Sequence, residues 1–190
     1  PTGNDQDAQT HGVVVHYVTK TFEVGLQGFI GNYFEDVEPE ELQKGFTGQA
    51  EYAINEKWRV GASFLMSSSD IYEDMIYSFH TRLGIGNGHS ILAEAGMVNR
   101  DIAVAGVENE LPYTFVEGHF MFRRGLWGLL TLDTLGTNNA STIRLAPGIQ
   151  FFPFQRVELR TDLYYTMVTP EGNGDKTTMW DLAAQVHLWL

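Results

Sequence analysis

The segment WDLAAQVHLWL at residues 180–190 decides the fold, because its side chains alternate in character. One set of alternating positions is wholly apolar, whereas the set between includes Asp181, Gln185 and His187. A β-strand has a side-chain period of two, so the two sets point to opposite faces of a sheet. The segment therefore predicts a strand with one apolar and one polar face, and it leaves open which face lies inside.

The same alternation recurs along most of the chain and predicts a series of strands. We place them at residues 22–34, 46–54, 58–67, 75–86, 90–99, 112–123, 126–135, 142–152, 157–168 and 177–190. Tight turns at 55–57, 86–89, 123–125 and 153–156 alternate with polar loops at 35–45, 68–74, 100–111, 136–141 and 169–176. Short turns at one end and longer loops at the other are typical of membrane barrels. The predicted fold class is all-β, a closed antiparallel up-and-down β-barrel of about ten strands.

The charged residues within the predicted strands fall on the face opposite the apolar set. We expect them to form a charge network in the barrel interior, made of Glu23, Glu51, Arg59, His80, Arg82, Glu94, Glu117, His119, Asp133, Arg144, Glu158, Arg160, Asp162, Asp181 and His187. Lysine is absent from this set, and glycine, serine and alanine stand between its members. Small residues relieve crowding in a narrow barrel, and arginine pairs with carboxylates where water is scarce. This composition favours a filled, charge-paired interior.

The apolar face carries aromatic residues near both of its ends. Those by the short turns are Phe22, Trp58, Phe122, Phe151 and Phe154, and those by the long loops are Tyr77, Phe79, Tyr165 and Trp180. Two aromatic belts are expected where a barrel crosses the two lipid–water boundaries. We therefore predict that the apolar face contacts lipid. The alternative is a soluble lipocalin-like ligand carrier with the apolar set inside, but the Gly-x-Trp signature of that family is missing from the first predicted strand.

Over residues 20–190 the pattern resembles the small outer-membrane β-barrel proteins of Gram-negative bacteria. The terminal QVHLWL at 185–190 is similar to the strand signal that such proteins present to their assembly machinery, although it ends in Leu rather than Phe or Trp. The resemblance implies a transmembrane barrel in the bacterial outer membrane, surrounded by lipid and lipopolysaccharide. An even number of strands would place both termini in the periplasm. The implied role is structural or interaction-based, including that of a subunit in an envelope assembly, and the alternative is a narrow channel for ions or small solutes.

Residues 1–19 are expected to be a polar N-terminal segment outside the barrel. Its β-prone stretch GVVVHYV at 12–18 would extend the first strand beyond the membrane or enter the interior as a plug. His11 and His16 bracket this stretch, but their odd spacing points them to opposite faces of a strand. We therefore predict no metal site there.

Composition and motifs exclude several classes of function. The chain has 24 acidic and 12 basic residues, which argues against a nucleic-acid partner. It contains no cysteine, so thiolate metal sites and disulfides are excluded, and no cofactor is implied. Ser78 with His80, and His89 with Ser90, are arrangements that would suit a lipid hydrolase. We interpret them as interior packing and turn polarity and predict that the protein is not an enzyme.

The predicted long loops are acidic, most of all EDVEPEE at 35–41. We interpret this acidic rim as a solvated surface. The functional alternatives are bridging by divalent cations to lipopolysaccharide phosphates and attraction of cationic ligands.

Overall fold

A computed structural model of the protein describes residues 10–31, 43–69, 72–102, 107–172 and 174–189. Its strands are β1 (Thr10–Val18), β2 (Phe22–Gly31), β3 (Lys44–Ala53), β4 (Trp58–Ser68), β5 (Tyr72–Gly86), β6 (His89–Ile102), β7 (Val107–Arg123), β8 (Leu126–Thr137), β9 (Ala140–Phe154), β10 (Val157–Pro170) and β11 (Thr177–Leu188). They form one antiparallel sheet in which the strands follow one another in chain order from β1 to β11. No helix within these residues is long and apolar enough to cross a membrane.

The tight turns lie at the end of the sheet where the sequence predicts them. Between β5 and β6, Gly86, Asn87 and Gly88 have φ angles of 103°, 53° and 79°. Consecutive positive φ angles give a hairpin turn whose twist matches that of the flanking strands, and glycine and asparagine tolerate them best. The acidic segment predicted as a loop at 35–41 lies outside the described residues.

The strands are longer than predicted at the loop end of the sheet. β7 has 17 residues, and β5 and β9 have 15 each. The predicted loop at 136–141 is reduced to a turn in which the Thr137 hydroxyl donates to the Ala140 carbonyl at 2.9 Å. Backbone pairing does not depend on side-chain polarity, so polar residues continue the ladder beyond the apolar part of each strand.

The sheet curves toward its charged face. Arg160 Nη2 on β10 lies 3.9 Å from Glu117 Oε2 on β7. Strands separated by two others in a flat sheet lie about 14 Å apart, so the sheet has to curl to bring these side chains together. We call the face that carries Glu117 and Arg160 the concave face, and the opposite one the outer face.

The outer face is apolar and exposed, as predicted. Leu130 and Val186 on it are 45% and 63% exposed. The buried side chains include Glu51, Ser78 and Asp162 on the concave face. Of the predicted aromatic belts, Phe22, Trp58, Phe122, Phe154, Tyr77, Phe79 and Trp180 are exposed on the surface of the sheet. A soluble carrier needs the reverse orientation, with its apolar residues enclosed.

The prediction of about ten strands is wrong, because the described residues form a sheet of eleven. The additional strand is β1, which pairs with β2 along its whole length, from Thr10 opposite Gly31 to Val18 opposite Glu23. It lies in the segment for which the sequence left an extension or a plug open. The described residues show no pairing between β1 and β11, so the predicted closure is not present in the sheet.

Candidate functional site

The concave face is the candidate functional site, and the strand register builds it. Residues that stand directly opposite each other on antiparallel strands share a face, so every second residue of each strand contributes to it. One row across the sheet consists of Glu23, Glu51, Gly61, His80, Glu94, Phe115, Asp133 and Arg144. The same register places the other residues of the predicted charge network on this face.

Glu51 is the centre of an ion-pair cluster near the short-turn end. Arg59 Nη1 donates to its Oε1 at 2.9 Å, and Arg82 Nη2 donates to both carboxylate oxygens. His80 Nε2 lies 3.5 Å from Glu51 Oε2, and Glu23 Oε2 lies 3.7 Å from Arg59 Nη1. Because the Glu51 carboxylate is largely removed from water, these donors offset the cost of its desolvation.

Glycines make room for the charged side chains, as the sequence predicts. A Cβ on Gly61 would lie 2.4 Å from His80 Nε2. A Cβ on Gly148 would lie 2.3 Å from Asp162 Oδ1. Both distances are far below van der Waals contact, so any larger residue would displace the charged partner.

A second cluster joins β7, β8 and β10. Arg160 donates to Asp162 through Nε at 2.7 Å and through Nη2 at 3.2 Å. Glu117 contacts the imidazole of His119 and accepts a hydrogen bond from Thr131 Oγ1 at 3.1 Å. The 3.9 Å approach of Arg160 to Glu117 links these groups across the curved sheet.

Most of the other predicted network residues form separate pairs. These are Arg144 Nε with Asp133 Oδ2 at 2.8 Å, Tyr113 Oη with Glu94 Oε1 at 2.8 Å, Gln150 Nε2 with Glu158 Oε1 at 2.6 Å and His187 Nδ1 with Glu158 Oε2 at 3.5 Å. Asp181 is different, because no charged partner lies beside it in the described part of the chain. It stands on β11, at the edge of the sheet.

The sequence interpretation missed three ionisable side chains on this face, those of Asp74, Arg100 and His16. Arg100 donates to Asp74 through Nε at 2.7 Å and Nη2 at 2.8 Å, and its guanidinium lies over the Tyr72 ring. His16 Nε2 lies 3.0 Å from Glu23 Oε1. From the sequence, these residues are expected in loops or in the N-terminal segment. The period-two pattern continues into these segments. Asp74 is an even number of residues from His80 on the same strand, so both side chains point to the same face, and this spacing could have revealed it.

In two of these ion pairs the carboxylate side chain is buried and the arginine side chain is largely exposed. The side chain of Glu51 is 9% exposed and that of Arg82 is 53% exposed. Asp74 and Arg100 show the same contrast, at 7% and 44%. At these two sites the carboxylate lies beneath a more exposed arginine side chain. The concave face also has open recesses, such as one of about 390 Å³ beside Glu51 and Glu94.

The residues considered for catalysis have other partners. Ser78 Oγ is 2.8 Å from Ser63 Oγ, and His80 contacts Glu51. His89 Nδ1 accepts a hydrogen bond from the Met121 amide at 3.1 Å. A nucleophilic serine needs a base within hydrogen-bond reach, and neither candidate pair has that arrangement. Among the described ranges, no group of His, Asp and Glu side chains has the geometry of a metal site.

Comparisons with known proteins place the fold among outer-membrane proteins. The outer membrane channel DcaP of Acinetobacter baumannii matches with a TM-score of 0.69 and 15% identity, over 94% of this chain and 62% of that chain. OmpT, an outer membrane protein of Vibrio cholerae, matches with a TM-score of 0.70 and 11% identity, over 94% of this chain and 64% of that one. The chain thus spans less than two thirds of the length of each. No protein-family model and no curated protein matches the sequence. The architectural resemblance predicted from the sequence is confirmed at the level of fold.

Proposed function

We propose that this chain forms wall strands of a closed β-barrel in a bacterial outer membrane, and that the barrel encloses a water-filled channel for small polar solutes. The observation that supports a channel best is the exposure of arginine side chains on the concave face of the described sheet. The side chain of Arg82, for example, is 53% exposed. A plugged or fully packed barrel would bury both members of each ion pair.

The strand count agrees with an open interior. About eight strands enclose just enough space for side chains, whereas 16–18 strands leave an aqueous channel. Eleven strands already exceed the first number, and the edges of the sheet at β1 and β11 are unpaired within the described residues. The likeness in fold to a protein that is an outer membrane channel is consistent with this proposal.

The proposed orientation has the short turns in the periplasm and lipid and lipopolysaccharide around the outer face. The end of β11 then lies on the periplasmic side. Because β1 is an additional strand, its first residue, Thr10, lies at the opposite end of the sheet. This differs from the expectation of two periplasmic termini, which assumed an even number of strands.

Conductance in planar lipid bilayers tests the channel. The full chain, refolded and inserted, should give reproducible single-channel steps whose size scales with salt concentration. Protection of the membrane strands from protease verifies insertion. If the inserted protein gives no resolved conductance steps, the channel is contradicted, whereas the proposed barrel is not.

The second candidate is a structural or interaction role within the envelope, without conduction. The support for it is the number of buried, hydrogen-bonded carboxylates on the concave face, including Asp162 and Glu158. Such ion pairs also occur where a barrel interior serves only to hold the wall together. Co-purification of a stoichiometric partner from envelopes, together with silent bilayers, would favour this role.

A further inference from the structure

Two arginines on neighbouring strands share one carboxylate near the short-turn end of the concave face. Arg59 on β4 and Arg82 on β5 stand directly opposite each other in the register. Like charges at directly opposed positions repel each other and destabilise a sheet. Glu51 lies between them and is hydrogen-bonded to both. Glu23 lies 3.7 Å from Arg59, so two carboxylates balance the two arginines, and what the pair offers a ligand is unused hydrogen-bond donors.

Both arginines keep unused donors. Arg59 donates to the described residues only through Nη1, and Arg82 only through Nη2. Arg100 and Arg160, in contrast, each use Nε and Nη2 together as a fork on one aspartate. Within the described residues, the Nε groups and the second terminal nitrogens of Arg59 and Arg82 therefore remain available to a ligand from the channel.

Arg59 and Arg82 both line an open recess of about 530 Å³. Lys57 lies on its rim, in a turn where the Asn55 side chain accepts hydrogen bonds from the backbone amides of Lys57 and Trp58. Ser90 and His119 also line it.

The acids of this recess are Glu56, in the exposed turn beside Lys57, and Glu117. Glu117 already contacts His119 and accepts a hydrogen bond from Thr131. The side of the recess formed by Lys57, Arg59 and Arg82 therefore offers cationic donors to the channel.

We propose that Lys57, Arg59 and Arg82 form a binding site for small oxyanions, with carboxylate or phosphate groups, at the short-turn mouth of the channel. The planar fork of a guanidinium matches the oxygens of these groups, and two forks with free donors can hold one anion from both sides. This site deepens the proposed channel function, since it names the class of solute that the channel would retain.

Binding of inorganic phosphate to the refolded full chain in detergent tests the site by calorimetry. We expect saturable binding by the unchanged protein. Arg82→Gln and Arg59→Gln should each weaken it by about tenfold or more, as for the loss of charge-assisted hydrogen bonds. Arg82→Lys keeps the charge without the fork and should bind with intermediate affinity.

Arg124→Gln is the matched control. Arg124 is an exposed cation in the turn after β7, at the same end of the sheet but outside the recess. This variant should bind phosphate like the unchanged protein. All variants are compared only after circular dichroism shows equal strand content. No phosphate binding by the unchanged protein, or an equal loss in Arg124→Gln and Arg82→Gln, would overturn the proposed site.

Single-channel recordings separate this inference from the proposed function. Phosphate added on the short-turn side should shorten the open current events of the unchanged protein more than those of Arg82→Gln. If the protein conducts and phosphate has no effect on the current, the anion site is refuted and the proposed channel function stands. If the protein binds phosphate in detergent but gives no conductance steps in bilayers, the channel function is refuted and the anion site stands.

Discussion

Glu51 illustrates how single residues on the concave face depend on their neighbours. Its carboxylate is almost enclosed, yet Arg59, Arg82 and His80 all reach it. His80 reaches it only because the adjacent position on β4 is Gly61, where a Cβ would lie 2.4 Å from the imidazole. The cluster therefore depends on the space that glycine leaves at position 61 as well as on its charged side chains.

Gly61→Ala should destabilise the folded protein by about 1–3 kcal/mol, because the added methyl group displaces His80 from Glu51. Gly28→Ala is its matched control, since a Cβ at Gly28 would have no neighbour within 4 Å. Urea unfolding from lipid vesicles measures both changes. Equal free energies of unfolding for the two variants would show that Gly61 is not crowded by His80.

At the scale of the strand, the period-two alternation predicted ten of the eleven strands that the described residues form. It failed at strand ends, because backbone pairing continues there through polar residues such as Asp74 and Arg100, which do not alternate with a regular set of apolar residues. It also failed for β1, which carries valine on both faces, although His16 lies on its concave face. Val13, Val14 and Val15 in succession are all exposed, so no alternation marks this segment as a membrane strand.

The partners within the charge network could not be predicted from the sequence. Pairing depends on register and on sheet curvature, and neither follows from alternation along one strand. Arg160 meets Glu117 only because β7 and β10 curl toward each other. The sequence thus predicts which residues share the concave face, whereas the fold determines which of them touch.

Leu130 provides the test of orientation at this scale, because it lies in the middle of β8 on the outer face. Leu130→Arg should cost about 2–4 kcal/mol if hydrocarbon surrounds it. Gln49→Arg is the matched control, as Gln49 is an exposed mid-strand residue on the concave face. We expect that change to stay within about 0.5 kcal/mol, as for a solvated surface position. Similar losses in urea titrations of the two variants in lipid vesicles would contradict a lipid-facing outer face.

For the whole molecule, the odd number of strands restricts how a barrel can close. β1 and β11 run in the same direction, because successive strands of the sheet are antiparallel. Direct pairing between them would be parallel, whereas the barrels of bacterial outer membranes have an even number of antiparallel strands. An open edge cannot stay unpaired in hydrocarbon, where each free backbone group costs several kcal/mol. Antiparallel closure therefore requires an odd number of further strands between β11 and β1.

Disulfide trapping tests this form of closure, and the chain offers a clean background because it has no cysteine. Val15→Cys on β1 is combined in turn with a cysteine at each of three outer-face positions of β11, namely Leu182, Ala184 and Val186. Ala50→Cys with Ala62→Cys is the positive control, since these residues are directly opposed on β3 and β4. Neighbouring strands bring Cα atoms within the 4.4–6.8 Å that a disulfide needs, whereas intervening strands do not.

After oxidation in the membrane, only the β3–β4 control should form an intramolecular disulfide, detected by its shifted migration on a non-reducing gel. An intramolecular bond between β1 and β11 would instead mean that the sheet closes on itself through one parallel pair. A cross-linked dimer would place a second copy at the edge. In two copies inserted in the same direction, the edge strands β1 and β11 can also pair only in parallel. Either result would therefore show that closure does not require further strands.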